Sequence, residues 1–152
     1  MKLLIIEDDD IKFGYIYDLI QGSNFDITIF RAASYQKGVE TLVHEEFDFV
    51  ILDMSLPVSD IADSPVGVKW ITFGGQYIVR DCLRRGIMLK VVILTQYSSF
   101  IRQNMEVSFN DLRNELLNEY PEHIVDCVRI VRSNDEWKHK ILRCIENEFT
   151  DN

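Results

Sequence analysis

The chain has 152 residues, of which 47 % are hydrophobic and 27 % charged, with a formal net charge of -9. This length suits one well-filled domain, expected over residues 1–150, and is short for two. The negative charge argues against nucleic-acid backbones and anionic membrane surfaces, which need a positive partner surface, and no stretch is long and apolar enough for a signal peptide or membrane span. Cys82, Cys127 and Cys144 lie far apart and follow no metal-ligand spacing, so reduced core thiols in a cytoplasmic protein are expected.

Leu3 to Ile6 is a continuous apolar run of strand length, and it ends in Glu7-Asp8-Asp9-Asp10. Phe13, Ile16, Tyr17 and Ile20 then recur at helical spacing, with Asp10 as N-cap and Gly22 just past the end. Phe25 to Phe30 alternates and carries β-branched residues, as a half-exposed edge strand would. Ser34 caps a helix expected over Tyr35 to Glu46, with Val39, Leu42 and Val43 inward. Phe49 to Leu52 is a second buried strand, closed by Asp53 and stopped by Leu56-Pro57.

After Pro57 the pattern lapses for about sixteen residues, through Asp60, Asp63, Pro65 and Gly67, which is long for a connection in a compact domain. A short helical turn over Val68 to Phe73 would pack Trp70 and Phe73 down. Gln76 to Arg85 reads as a helix with Gly86 as its stop, and Lys90 to Thr95 as a third buried strand ending in a hydroxyl. Ser98 to Ser108 fits no single pattern. A helix over Asn110 to Tyr120, a strand within Ile124 to Val131 centred on Val128 to Val131, and a helix capped by Asn134 or Asp135, running through Glu148 with Trp137, Ile141, Leu142 and Ile145 as its core stripe, complete the chain. Five strand-then-helix repeats imply an α/β fold, a parallel sheet with helices on both faces.

In open sheets of this kind ligands collect at the carboxyl edge. Alone, Asp53 reads as a capping or loop acid. Side by side, however, the three buried strands bring Glu7, Asp8, Asp53 and Thr95 to one rim, where three acids repel unless a hard cation is present. Magnesium, with its preference for oxygen ligands and phosphate, suits such a rim.

At these residues the chain resembles the receiver domains of two-component response regulators. Leu4-Ile5-Ile6-Glu7-Asp8-Asp9 matches the family's acid pair, Ile51-Leu52-Asp53-Met54-Ser55-Leu56-Pro57 its phosphoacceptor, about 45 residues on, and Val92-Ile93-Leu94-Thr95 its switch hydroxyl. The resemblance spans nearly the whole chain and implies a flavodoxin-like (βα)5 three-layer sandwich with a five-stranded parallel sheet of order 2-1-3-4-5. It also implies that Asp53 takes a phosphoryl group from a histidine kinase or phosphotransfer protein. Mg2+ would be held by Asp53, Asp8 and the main-chain carbonyl of Ser55, with Glu7 acting mainly through water. Thr95 would bond the attached phosphoryl group; strand-end hydrogen bonding is its ordinary alternative.

The family's last strand ends in a lysine followed by a proline, where this chain has Arg132 and Ser133. Arg132 is the residue there that brings positive charge to a phosphoryl group. Arg129 replaces the family's aromatic switch residue, and Gln96 a small residue beside the acceptor. The expected function is therefore a single-domain receiver that signals through a downstream protein, by way of its last helices and long loops. Phe149 is a candidate for that face, as is Trp137, for which core packing is the main expectation, and homodimerisation through it is a family habit. The alternatives are a pseudo-receiver that binds proteins without being phosphorylated and a phosphatase of the haloacid dehalogenase type. The latter needs a second Asp where Ser55 stands.

Overall fold

The structure is a computed structural model that describes residues 1–60 and 67–151. Asp63 and Pro65 lie outside the described residues. In chain order the first half contains β1 (Lys2–Ile6), α1 (Asp10–Gln21), β2 (Thr28–Ala32), α2 (Tyr35–His44), β3 (Phe49–Leu52), β4 (Leu56–Pro57) and β5 (Trp70–Ile71). The second half contains α3 (Gly74–Arg84), β6 (Val91–Thr95), β7 (Ser99–Arg102), β8 (Met105–Ser108), α4 (Phe109–Glu119), β9 (Ile124–Arg129) and α5 (Glu136–Thr150).

The continuous apolar runs form the middle of one five-stranded parallel sheet, ordered β2-β1-β3-β6-β9. Counting only its members, that is the expected order 2-1-3-4-5. Successive side chains of a strand point to opposite faces, so each run feeds two cores. Leu3, Ile5, Phe49, Ile51, Val92 and Leu94 pack with Ile16 and Ile20 of α1 and Trp137, Ile141 and Ile145 of α5. Leu4, Ile6, Val50, Leu52, Val91 and Ile93 pack with Leu42 of α2, Ile78 and Val79 of α3, and Leu112 and Leu116 of α4. Burial on both faces is why these strands do not alternate in polarity.

Several local expectations are corrected. Val43 is exposed, and Gly38 shares the inner face of α2 with Leu42, because a Cβ there would lie 3.0 Å from Ile6 Cδ1. The stretch expected to make a helical turn before α3 instead pairs β5 with β4 in an antiparallel ladder, Leu56 opposite Ile71 and Pro57 opposite Trp70. Phe73 packs down, but Trp70 remains 55 % exposed. The unassigned stretch after Thr95 is an antiparallel hairpin of β7 and β8, turned at Gln103 and Asn104, both at positive φ. Phe149 stacks on Phe25 at 5.0 Å between ring centroids and offers no free face, whereas Trp137 is core, as the stripe of the last helix predicts.

All three cysteines are free and buried. Burial pushes the Cys82 and Cys144 thiols up to about 11 and that of Cys127 to about 12. Thiolate is the reactive form, so in folded protein a disulfide-exchange reagent should label them on the order of 100-fold more slowly than in denaturant. Rapid labelling of any one of them without denaturant would contradict this packing.

Candidate functional site at the carboxyl edge of the sheet

The site is built from strand ends. Ile6 of β1 lies opposite Leu52 of β3, and the ladder continues one step further: the Asp53 N–H donates to the Ile6 carbonyl at 3.0 Å, and the Glu7 N–H to the Ala32 carbonyl at 3.0 Å. This step fixes Glu7 and Asp53 as neighbours at the carboxyl edge. Beyond Asp53 the chain is held by the N-terminus of α3, where the Gly75 N–H donates to the Met54 carbonyl at 2.8 Å. A Cβ on Gly75 would lie 2.5 Å from the Asp53 carbonyl oxygen, so only glycine admits this approach.

The residue that sequence reasoning missed is Lys12. Asp9, not Asp10, caps α1, its Oδ1 accepting from the Ile11 and Lys12 N–H groups, while Asp10 pairs with Arg31 at 2.7 Å. With the helix started there, Lys12, Ile16 and Ile20 stand at i, i+4 and i+8 on one buried face. Lys12 is the end of that face nearest the acids. Its Nζ lies 2.7 Å from Glu7 Oε2 and 3.1 Å from Asp53 Oδ2, and the three side chains are only 9 %, 2 % and 8 % exposed. The signal was present in the spacing, since Lys12 continues the Ile16 and Ile20 stripe towards the helix start.

A pocket of about 100 Å³ is lined by Glu7, Asp8, Asp9, Lys12, Asp53, Ser55, Trp70, Gln96 and Tyr97. Burial raises the Glu7 carboxyl to about 8, with the Asp53 charge adding and Lys12 opposing. Burial likewise raises Asp8 and Asp53, the latter against the pull of Lys12. On Lys12 itself burial disfavours the ammonium, yet Asp53 and Glu7 outweigh it and keep it charged. Glu7, Asp8 and Asp53 each offer a carboxylate oxygen, all within 4.8 Å of one another. Asp53 Oδ1 is buried without a hydrogen-bond partner. An all-oxygen set with one orphaned oxygen fits a hard divalent cation such as Mg2+.

The remaining expected site residues are placed as follows. Ser55 lines the pocket and its hydroxyl donates to the Thr72 carbonyl at 2.9 Å. Thr95 is buried at the end of β6, and its hydroxyl oxygen accepts from the Tyr97 N–H at 3.2 Å, the strand-end role. Arg132 does not line the acid pocket; it borders a neighbouring cavity of about 260 Å³ with Lys12, Tyr15, Gln96 and Trp137. Gln96 is exposed and borders both spaces. Arg129, opposite Thr95 across the ladder, and Ser133 are exposed.

This sheet order, with acids gathered at its carboxyl edge, is the fold of response-regulator receiver domains. The chain superposes on the response regulator receiver protein of Pseudoalteromonas atlantica with a TM-score of 0.66 at 10 % identity, over 99 % of this chain and 98 % of that one. It superposes on the response regulator TrrA of Thermotoga maritima, solved in complex with Mg2+ and BeF, with a TM-score of 0.61 at 17 % identity, over 94 % and 97 %. In sequence it is similar to the Detocs response regulatory protein DtcB of Enterobacter cloacae, 26 % identical over 148 residues that cover 95 % of this chain and 98 % of that protein. No protein-family model matches the chain.

The close approach of α3 to the segment after β3 can be tested directly. Gly75→Ala should destabilise the protein by about 1–3 kcal/mol, because the new methyl meets main chain that has no alternative rotamer. An unchanged urea midpoint would show that the segment after Asp53 yields freely.

Proposed function

We propose that the protein is a receiver that accepts a phosphoryl group on Asp53 from a phosphohistidine of a kinase or phosphotransfer partner, and passes the signal on through protein contacts. The observation that carries this reading is Asp53 Oδ1: a buried carboxylate oxygen without a partner, beside Glu7 and Asp8, at the carboxyl edge of a receiver fold. In the transfer a carboxylate oxygen of Asp53 forms the new bond to phosphorus. The phosphorus–nitrogen bond to imidazole breaks, and the imidazole leaves with the electron pair.

Glu7, Asp8 and Asp53 would hold Mg2+, with the Ser55 carbonyl as the further ligand that the receiver resemblance implies. Bound there, the ion neutralises charge on the phosphoryl oxygens. This chain's own residues supply the rest. The β1–β3 ladder orients Asp53, Gly75 fixes the turn after it, and Lys12 holds its second oxygen. Trp70 and Tyr97, both largely exposed, stand at the mouth of the pocket and limit water access to an acyl phosphate. They continue into a groove with Phe100 and Ile101, a surface beside the acceptor that suits an output partner.

A pseudo-receiver is favoured by one observation, the engagement of the Thr95 hydroxyl with the Tyr97 N–H, which leaves the switch hydroxyl occupied locally. The phosphatase reading has no support at Ser55, whose hydroxyl is committed to the Thr72 carbonyl. Incubation with acetyl phosphate and Mg2+ should add one phosphoryl group, seen by intact mass, labile to hydroxylamine, and absent from Asp53→Asn. A protein of unchanged mass that still binds its partner as Asp53→Asn would establish the pseudo-receiver instead.

A further inference from the structure

Lys12 is the one cationic side chain among the described residues that line the acid pocket. It reaches the pocket from a helix, through a buried stem, and touches two acids at once. Each contact has a consequence. At Glu7 the ammonium takes Oε2, while Oε1 accepts from the Asp9 N–H at 3.1 Å, so both oxygens of Glu7 are engaged. At Asp53 it takes Oδ2 only and leaves Oδ1 open. The acid cluster therefore carries its own counter-ion, and a divalent cation entering it meets a fixed positive charge and a glutamate already in use.

We propose that Lys12 is the built-in cation of the acceptor pocket. It positions Asp53 and Glu7 in the absence of metal, it lowers the pocket's affinity for a divalent cation, and it moves from Asp53 Oδ2 to the oxygens of a phosphoryl group carried on Asp53. The last part rests on Asp53 being the acceptor; the first two do not. An ammonium is suited to this, since it is a compact charge with three rotatable donors on a flexible stem, able to change partners without moving its helix. Arg132, the cation expected from sequence to meet the phosphoryl group, lines the adjoining cavity instead.

The test compares wild type, Lys12→Met, Lys12→Arg and the double variant Glu7→Gln/Lys12→Met. Magnesium affinity is measured by calorimetry, and melting temperature in chelator and in saturating magnesium. Lys12→Met should bind magnesium at least about tenfold more tightly, since a unit charge a few ångströms from the ion is removed. It should melt well below wild type in chelator, and magnesium should recover most of the loss. Lys12→Arg should stay near wild type in both respects. If Lys12→Met fails to fold in chelator, the double variant, which removes the acid together with its partner, should fold there. Wild-type magnesium affinity and chelator stability in Lys12→Met would overturn the inference, as would a folding defect that neither magnesium nor the double variant repairs. With acetyl phosphate at saturating magnesium, labelling of Lys12→Met should fall about tenfold or more, the size of a lost charge-assisted contact, with partial recovery in Lys12→Arg. Equal labelling would remove Lys12 from the phosphoryl group while leaving Asp53 as acceptor. If no form is labelled, wild type included, the acceptor reading fails, and the metal and stability measurements still decide the role of Lys12.

Discussion

The buried contact of Lys12 with Glu7 and Asp53 is the constraint on which the carboxyl edge of this sheet depends. Two carboxylates with little access to water cannot sit side by side without a cation or a proton. The main-chain ladder gives them no freedom to separate, because Glu7 and Asp53 are pinned by the bonds to Ala32 and Ile6. A buried ion pair is seldom a net source of stability, since desolvation offsets its attraction, but removing one partner alone costs about 3–5 kcal/mol. The arrangement is thus better understood as one that fixes Asp53 in orientation than as one that strengthens the fold. It also explains the asymmetry of Asp53, one oxygen held by an ammonium and the other bare.

The central architecture was legible because its physics is local. Leu3–Ile6, Phe49–Leu52 and Val91–Leu94 are apolar at every position, which only a strand buried on both faces requires, and Asp53 and Thr95 follow at their ends. Gly22 and Gly86 marked helix ends, and Ser34 a helix start, through chemistry carried by single residues. Lys12 was not legible in the same way. A lysine is assumed to be solvated, and the visible stripe through Phe13 and Tyr17 pointed to a helix face rotated from the real one, in which Tyr17 is exposed. The run Asp8-Asp9-Asp10 offers several caps, and only the true one, Asp9, starts the helix so that Lys12 faces the acids. Trp70 is the opposite case: a large apolar residue is expected inside, yet this one is exposed and lines the pocket.

The hairpin of β7 and β8 belongs to another category. Its pairing depends on the turn at Gln103 and Asn104, and asparagine is among the few non-glycine residues that tolerate positive φ. Its strands have one buried residue each, Phe100 and Val107, cross-strand partners whose packing on α4 and Phe73 emerges only in three dimensions. Exposed Ile101 and Met105 give the rest no inward pattern to read. The hairpin occupies the connection between β6 and α4, immediately after Thr95, and the Ser98 carbonyl accepts from the Phe109 N–H to close it at 2.9 Å. A segment closed in this way is stiffer than an open loop, and Thr95 stands at its base.

That stiffness bears on how a charge placed at Asp53 is transmitted. On the β6 side the hydroxyl of Thr95 already has a partner, Arg129 offers no ring, and Arg132 faces another cavity. On the β1 side the coupling is direct. Lys12 touches Asp53 and belongs to α1, whose first turn is bound in turn to Arg31 of β2. Arg31 pairs with Asp10, donates to the Glu7 and Asp8 carbonyls at 3.2 Å, and covers the Phe13 ring at 4.3 Å. A phosphoryl group on Asp53, the acceptor we propose, would add negative charge within reach of Lys12. The first groups to feel that charge would be the start of α1 and the edge strand β2, on the opposite side of the site from Thr95. Two-state elements respond where the differential contacts are made, and under that proposal the contact with Asp53 runs through Lys12 to the first helix.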